Sequence, residues 1–320
     1  MGWRSIHRWL GLVAGALALV LGITGALLAL DSVRGAWQSP PIPDGVSVAA
    51  LAQRVQASVP GLEEIRRLPS GTLVAYAFDN GQARTLRVDP SDGRVLGSYQ
   101  PSLFPRWVKS LHRTLLAGDA GRIAAAIAAL GMLALSVSGL ILLLRRMGGW
   151  RRLAGPVRGS TAPRLHVLAG RVALAVLAIS AAGGVFMSAT TFGLVPIEPA
   201  QEPEVFSEPT GHDALPADRL PLLQRLSVQD LRKLDVPAAD DPRDIWQVAT
   251  VQGQGWVDRY SGQTVVWQSA PLAQRVYDWA QLLHTGDGAW AWALVLGAMG
   301  ASIPLFWVTG LVLWRQSRRG

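Results

Sequence analysis

The chain has 320 residues, of which 50% are hydrophobic, with no cysteine and a formal net charge of +8. Because there is no cysteine, disulfides, iron–sulfur ligands and zinc–thiolate sites are excluded. The positive charge does not favour nucleic-acid binding, since the basic residues are divided among short segments that flank apolar runs.

Four long apolar runs dominate the sequence, over residues 6–30, 123–144, 166–190 and 289–314. Each is near or above the roughly 20 residues that cross a bilayer as a helix. The first is longer than the apolar core of a signal peptide, and no clear cleavage site follows it. The sequence therefore predicts a mainly α-helical membrane protein with four transmembrane helices, the last of them kinked at Pro304.

The predicted segments follow one another in a simple order. They are a first transmembrane helix in 1–30, a first extracytoplasmic module in 31–106, an interfacial segment with the second transmembrane helix in 107–146, a cytoplasmic loop in 147–163, a third transmembrane helix in 164–190, a linker with a second extracytoplasmic module in 191–275, and an interfacial segment with the fourth transmembrane helix in 276–320.

The distribution of charge predicts the orientation of these segments. The segment 145–164 contains six arginines and no acidic residue, whereas all 22 acidic residues fall within 31–119 or 198–287. Short arginine-rich loops stay in the cytoplasm. We therefore expect both termini and the middle loop to be cytoplasmic and the two long segments to lie on the outer side of the membrane.

The two outer segments are predicted to be small α+β modules. In the first, Ser47 is placed to cap a helix, and Asn80-Gly81 is a strong hairpin signal. Its strands are predicted near 62–68, 72–78, 83–88 and 94–99. In the second module, a proline-rich linker over 196–216 precedes a helix near 221–226 and strands near 245–251 and 255–260.

The two halves of the chain repeat one order of features: a histidine, an apolar run, an outer segment, a second histidine, a second apolar run and an arginine. Near the end of the second apolar run of each half, VSGL at 137–140 matches VTGL at 308–311. Because each half crosses the membrane twice, both halves enter it in the same direction. The sequence thus predicts two parallel repeats, related by a pseudo-twofold axis along the membrane normal.

Four of the five histidines lie at the ends of the apolar runs. His7 and His166 open the first and third runs, and His112 and His284 precede the second and fourth. Ionisable side chains at membrane depth are usually functional, and a helix of 20 residues separates its ends by about 30 Å. His7 can therefore face His166 but not His112, which predicts one inner and one outer pair.

Several short motifs resemble the PepSY-associated transmembrane family. They are IHRWLG at 6–11, LHRTLL at 111–116, SGL at 138–140 and a V-D-x-x-(x)-G hairpin in each module. The resemblance covers nearly the whole chain. It implies an inner-membrane protein with PepSY-like modules, often tied to iron or siderophore uptake. Some members look like dihaem b-type reductases of ferric siderophores, and other members have no settled role.

Each histidine pair suits the two axial positions of a haem b iron, and helical bundles supply such ligands from facing helices. We therefore predict two haem b groups. Their predicted axial ligands are His7 with His166 and His112 with His284. Their propionates are predicted to be held by Arg4, Arg8 and Arg164 at the inner site and by Arg113 or Arg106 at the outer site. Small residues predicted beside the porphyrins are Gly11, Ala14, Gly15, Gly118, Gly121, Ala169, Gly170 and Ala173.

Other interpretations of the histidines stay open. An interfacial histidine can simply bond lipid headgroups or a backbone carbonyl. A divalent metal could bind at the outer end, where Asp119 and Asp287 are near in sequence to the histidines, whereas the inner end has no acid. His212 has no counterpart in the other half and is predicted to be structural or solvated.

The resulting functional hypothesis is an electron-transfer protein that reduces an extracytoplasmic acceptor, a ferric siderophore or other ferric chelate. No flavin- or nucleotide-binding motif is present, so quinol or a separate donor must supply electrons. Whether the chain is an enzyme is left open. The alternatives are a non-enzymatic binding or regulatory protein and a carrier for an iron complex. A carrier is disfavoured because the runs offer few polar residues: Thr24, Ser136, Ser138, Ser180 and Thr309.

Overall fold

A computed structural model describes residues 2–197 and 202–318. The chain divides into two compact units. A helical unit is built from the segments 1–33, 102–197 and 276–320, and a sheet unit is built from 34–101 and 198–275. Residues 198–201, part of the predicted linker, lie outside the described residues.

The helical unit contains long helices and shorter ones that lead into them. The long helices are α1 (Trp3–Gln38), α4 (Gly118–Met147), α5 (Thr161–Thr191) and the consecutive pair α8 (Trp290–Ala301) and α9 (Ile303–Gln316). The shorter helices are α3 (Leu103–Thr114), which leads into α4, and α7 (Leu272–Thr285), which leads into α8. A 3-10 turn over Trp150–Arg152 lies between α4 and α5.

Among the described residues, four helical stretches are long and apolar enough to cross a membrane. They measure 36, 30, 31 and 27 residues, and the last comprises α8 and α9 together. Their outer surfaces are apolar: Val13 is 73% exposed, Val172 69% and Ile127 58%. Side chains of this kind are normally buried in a water-soluble protein, whereas hydrocarbon solvates them.

Small residues let the long helices approach closely. A Cβ atom on Gly131 of α4 would lie 2.7 Å from the Cβ of Ala14 in α1. A Cβ atom on Gly300 of α8 would lie 2.8 Å from the carbonyl oxygen of Gly22 in α1. α4 also packs against α5, and α5 packs against α8 and α9. The four spans therefore form a bundle in the cyclic order α1, α4, α5, α8/α9, with α1 and α5 on opposite sides.

The predicted kink at Pro304 is confirmed as a break between two helices. Ser302 lies between α8 and α9, and Pro304 occupies the first turn of α9. Proline has no N–H to donate to the carbonyl four residues earlier, so the series of backbone hydrogen bonds along the helix is interrupted here.

The sheet unit contains one antiparallel sheet of eight strands. The strands are β1 (Leu62–Arg67), β2 (Leu73–Asp79), β3 (Gln82–Val88), β4 (Val95–Ser98), β5 (Leu231–Asp235), β6 (Trp246–Thr250), β7 (Gly253–Val257) and β8 (Thr264–Ser269). Their order is β4-β3-β2-β1-β5-β6-β7-β8. Asn80 and Gly81 have φ angles of 51° and 77°, as the predicted two-residue hairpin between β2 and β3 requires.

The two predicted modules do not form separate sheets. β1 and β5 pair antiparallel, with Ile65 opposite Leu234 and Glu64 opposite Asp235. We call this β1–β5 junction the seam. A separate four-stranded sheet would leave the polar backbone groups of its edge strand unpaired, and the seam pairs the edge of each half with the other.

Two further helices, α2 (Val48–Ser58) and α6 (Pro221–Arg225), pack together and help to enclose the core of the sheet unit. The predicted cap is confirmed, because the Ser47 hydroxyl accepts a hydrogen bond from the backbone N–H of Ala50. The largest fully buried core side chains include Leu51, Ile65, Leu73, Leu220, Leu223, Leu231 and Leu234.

Candidate functional site

The inner pair joins two diagonally opposed helices of the bundle. His7 lies near the start of α1 and His166 near the start of α5. Their ring centroids are 6.3 Å apart, and the ring planes are nearly perpendicular, at 89°. Phe306 of α9 packs edge-on against His166 with centroids 5.4 Å apart.

The outer pair joins the two short helices. His112 belongs to α3 and His284 to α7, and their ring centroids are 6.1 Å apart at an angle of 51°. His112 bonds Thr24, which lies on the same helix as His7 and roughly 26 Å along its axis, at about 1.5 Å per residue. The structure thus brings together the histidines that the repeat predicted to be neighbours and keeps the two pairs apart. His212 is exposed and belongs to the sheet unit.

A hydroxyl group of the same half of the chain anchors each inner histidine. His7 Nδ1 lies 2.8 Å from Ser138 Oγ, and His166 Nδ1 lies 2.8 Å from Thr309 Oγ1. Ser138 donates its own proton to the carbonyl of Ala134 at 2.8 Å. Thr309 likewise donates to a carbonyl one turn earlier, at 2.6 Å. Each hydroxyl has one proton, and with that proton on the helix carbonyl the imidazole is the donor in both contacts.

An oxygen atom of the same half of the chain also anchors each outer histidine, a hydroxyl in one case and a backbone carbonyl in the other. His112 Nδ1 lies 2.9 Å from Thr24 Oγ1, and that hydroxyl donates to the carbonyl of Val20 at 2.7 Å. His284 Nδ1 lies 2.7 Å from the carbonyl oxygen of Ser180, which can only accept. Nδ1 is therefore the protonated nitrogen here as well.

One tautomer follows for all four rings. Among the described residues, the hydrogen bonds to these imidazoles all go to Nδ1. The lone pair is then on Nε2, where a metal can bind. An Nδ1–H donated to an oxygen is the usual support of a metal-ligating histidine, because it fixes the ring and raises its basicity.

The spacing of each pair matches two ligands on one metal. A metal held between the two rings by bonds of about 2 Å each would separate their centroids by up to roughly 6 Å. Within the described residues, no group of three or more histidine, cysteine or acidic side chains could hold an ion. A haem iron needs only two protein ligands, because the porphyrin supplies the other four, so these residues fit that group.

The alternative of an outer divalent-metal site finds no support in the acidic side chains. Asp287 Oδ1 accepts a hydrogen bond from Ser32 at 2.7 Å. Asp119 pairs with Arg122 at 2.6 Å in the first turn of α4.

Glycines lie against the edges of three of the four rings. A Cβ atom on Gly139 would lie 3.4 Å from His7 Cε1, one on Gly25 3.3 Å from His112 Cε1, and one on Gly184 3.1 Å from His284 Cε1. The small residues predicted to lie beside the porphyrins are a different set, and that role stays a prediction. A Cβ atom on Gly11 would meet Leu135, one on Gly15 would meet Trp307, and Gly121 closes the turn onto Thr114.

The arginines predicted to hold propionates are all exposed and lie within one turn of a histidine in the sequence. They are Arg4, Arg8, Arg113 and Arg164, and Arg106 is exposed as well. Arg8 donates to the hydroxyl of Ser317 at 3.3 Å. Their role as propionate ligands stays a prediction.

Sequence reasoning missed the anchoring residues. Thr24, Ser138 and Thr309 are almost fully buried, at 4%, 1% and 5% exposure. The repeat contained the signal, because Ser138 and Thr309 occupy the same position in the matching motifs VSGL and VTGL. In the second half, Gly183 occupies the position that corresponds to Thr24, so no hydroxyl is available there. The backbone carbonyl of Ser180 accepts the hydrogen bond from His284 instead.

A family model described as the PepSY-associated TM region matches residues 4–317. No curated protein and no solved structure matches the chain. With four helices able to cross a membrane and a small sheet, the protein is a multi-pass membrane protein of mainly helical structure. The chain belongs to the PepSY-associated transmembrane family.

Proposed function

We propose that the chain is a dihaem b electron-transfer protein of the bacterial inner membrane that reduces an extracytoplasmic acceptor, a ferric siderophore or other ferric chelate. The observation that carries the proposal is the pair of facing histidines at each site, with every Nδ1–H donated to an oxygen of the same half of the chain.

Haem b, when bound, supplies a reversible one-electron iron couple. The chain's own contribution is to present Nε2 of His7 and His166 at one end of the bundle and of His112 and His284 at the other. The anchors keep these rings from rotating, and the apolar helices around them exclude water. The exposed arginines next to the histidines suit the carboxylates of propionate groups.

The order of the elements supports the two-repeat interpretation. Each half of the chain contains a long apolar helix, a short helix, four strands, an amphipathic helix and a second apolar stretch. The anchors of the histidines agree with this interpretation, since each hydroxyl or carbonyl oxygen belongs to a span of the same half as its histidine. The arginine-rich segment 145–164 supports a cytoplasmic position for the loop and for both termini.

The contacts of the span hydroxyls disfavour a carrier. Thr24, Ser138 and Thr309 each bond a histidine and their own helix backbone. Ser136 donates to the carbonyl of Met132. These polar groups are therefore already satisfied, whereas a carrier needs groups that can bind its cargo near the middle of the membrane.

Absorption spectra of the purified protein test the proposal against a non-enzymatic binding or regulatory role. We expect a Soret band and two haems per chain after expression with ample haem. His7→Ala and His166→Ala should each lose one haem, and His112→Ala and His284→Ala should each lose the other, as resolved by redox titration. His212→Ala is the matched control, because this histidine is exposed, and it should keep both haems.

A protein that stays colourless, and that shows no Soret band on reconstitution with haem, would contradict the proposal and favour the binding or regulatory role. If His7→Ala and His112→Ala remove the same haem, the pairing across the two halves is wrong.

A further inference from the structure

We infer that α3 lies in the membrane interface and that its cationic face binds the phosphate headgroups of anionic phospholipids. The helix has three faces at about 100° per residue. Val108 is buried in the helical unit, and His112 bonds Thr24 beside it. The other two faces are exposed and have different chemistry.

One exposed face is apolar and the other is cationic. Leu103 is 78% exposed, Phe104 60% and Trp107 52%. Arg106, Lys109 and Arg113 form a separate exposed stripe, at a spacing of three and then four residues. A helix with leucine, phenylalanine and tryptophan on one side and basic residues on another is typical of the interface between acyl chains and headgroups.

The charge of α3 identifies the occupant. The helix contains no acidic residue, and among the described residues none of its three cations forms an ion pair. Cations at the surface of a membrane attract anionic lipids, at about 1 kcal/mol for each lysine or arginine, which is roughly fivefold in binding. Anionic lipid headgroups supply the missing negative partners on the side of the helix that is free.

The corresponding helix of the second half, α7, lacks this charge. It has a similar apolar face, with Leu272 69%, Val276 46% and Trp279 63% exposed. Its charged residues are Arg275 and Asp278, which have opposite signs. Both helices should therefore lie in the interface, but only α3 should prefer anionic lipid.

The preference matters for the outer histidine pair, because α3 bears His112. A tight turn joins α3 to α4, with Leu115 and Leu116 at φ angles of 46° and 58° and Gly118 at 57°. Leucine rarely adopts this left-handed region, so the turn is held by its surroundings. Headgroups bound at Lys109 on this cationic stripe would restrain α3 from its exposed side and so keep His112 on Thr24.

Hydrogen exchange of the full chain in nanodiscs tests the inference without any measurement on haem. Exchange in α3 is compared between nanodiscs of phosphatidylcholine alone and nanodiscs that also contain phosphatidylglycerol. We expect phosphatidylglycerol to slow exchange in α3 roughly fivefold for each cation engaged, high salt to reverse the effect, and exchange in α7 to stay unchanged. Lys109→Gln, at the one cation of the stripe with no predicted role at the haem, should match the wild type in phosphatidylcholine and weaken the response to phosphatidylglycerol roughly fivefold. Arg275→Gln on α7 is the matched control, and in this variant α3 should keep its response to phosphatidylglycerol.

Equal exchange in the two lipids, an equal response of α7, or a response that is undiminished in Lys109→Gln would each overturn the inference. Inorganic phosphate added to phosphatidylcholine nanodiscs should have no effect, and protection by phosphate would mean a site for free anions instead. Because no arm depends on haem, a failure here is distinguishable from a failure of the proposed function.

Discussion

The hydroxyl of Ser138 decides the orientation of His7, since it accepts the Nδ1–H at 2.8 Å. Replacing such a partner of a metal-bound histidine typically costs about 10–100-fold in affinity. We therefore expect Ser138→Ala to release the proposed inner haem at least about tenfold faster while the proposed outer haem stays bound. Haem transfer to a scavenging protein measures this rate. Ser136→Ala is the control, because Ser136 lies on the same helix and donates to Met132 rather than to a histidine. Equal release from the two variants would show that the anchor has no role.

Gly139 and Gly310 provide a second comparison at the scale of single residues. They occupy matching positions in the two halves, yet a Cβ atom on Gly139 would lie 3.4 Å from His7 Cε1, whereas one on Gly310 would meet nothing within 4 Å. Because the added methyl group would be in van der Waals contact with the edge of the ring, we expect Gly139→Ala to restrict the ring and to shift the spectrum or the midpoint potential of the proposed inner haem. Gly310→Ala should leave both unchanged and can stabilise the helix by up to about 1 kcal/mol. The reverse pattern would contradict the assignment of His7 to a ligand position.

At the scale of secondary-structure elements, an aspartate in each of the turns that follow β3 and β7 predicts how acid affects the stability of the sheet unit. Burial opposes ionisation of Asp258, but the backbone N–H groups of Ser261, Glu208 and Tyr260 and the Ser261 hydroxyl together lower its pKa. The Ser91 hydroxyl and N–H, with Arg94, similarly lower the pKa of Asp89 despite some burial. A lowered folded-state pKa contributes stability above the unfolded-state value of about 3.9, and that stability is lost as the pH falls through the folded-state pKa.

We therefore expect Asp258→Asn to destabilise the sheet unit by about 1.5–3 kcal/mol at pH 7, the range for hydrogen bonds to a charged group. Wild type and variant should converge as the pH falls through the lowered pKa of Asp258, where the carboxyl of the wild type becomes protonated. Urea unfolding of the full chain, followed by hydrogen exchange in β7 and β8, measures the difference. Asp240→Asn, at an exposed position, should behave like the wild type. A deficit that persists unchanged at low pH would show that the charge of Asp258 is not involved.

The seam predicts that the two halves of the sheet unfold together. Ile65 and Leu234 are paired across it, and both are fully buried. We expect Ile65→Ala to cost about 2–5 kcal/mol and to raise hydrogen exchange in β5 and β6 as well as in β1 and β2. Val265→Ala, at a position 44% exposed on the edge strand β8, should have a small and local effect. If exchange after Ile65→Ala rises only in the first four strands, the halves behave as independent modules.

For the whole molecule, the lack of native cysteine allows a direct test of orientation. Ser160 lies in the arginine-rich loop and Gln82 in β3, and both are exposed. A thiol reagent that cannot cross membranes should label Gln82→Cys but not Ser160→Cys in intact spheroplasts, because arginine-rich loops stay inside. Both should be labelled after lysis. The opposite pattern in intact cells would invert the proposed orientation.

The direction of electron transfer is the second prediction for the whole molecule. Proteoliposomes with a sealed-in reductant and an external ferric chelate should reduce the chelate without iron entry, because only electrons need to cross. The rate should fall with His112→Ala or His284→Ala and should be unaffected by His212→Ala. Entry of labelled chelate that stays ferric would contradict a reductase and favour a carrier.

The sequence by itself determined the features that depend on near neighbours or on a simple period. Long apolar runs became the four spans, because a helix in hydrocarbon satisfies its own backbone. Ser47 became a cap and Asn80-Gly81 a hairpin turn, because these conformations depend on a few adjacent residues. The repeat indicated which histidines could meet, because equal positions in parallel repeats lie at equal depth.

Only the tertiary structure decided the contacts between residues distant in the chain. The strand β5, with the sequence LRKLD, has no strong strand signal, and β1 and β6 on its two sides make it a strand. The same holds for the anchors of the histidines and for Gly25, Gly139 and Gly184 beside the rings. Which oxygen meets Nδ1, and which glycine leaves space for a ring, depends on how helices rotate and cross, and that is set by packing across the whole bundle rather than by any local pattern.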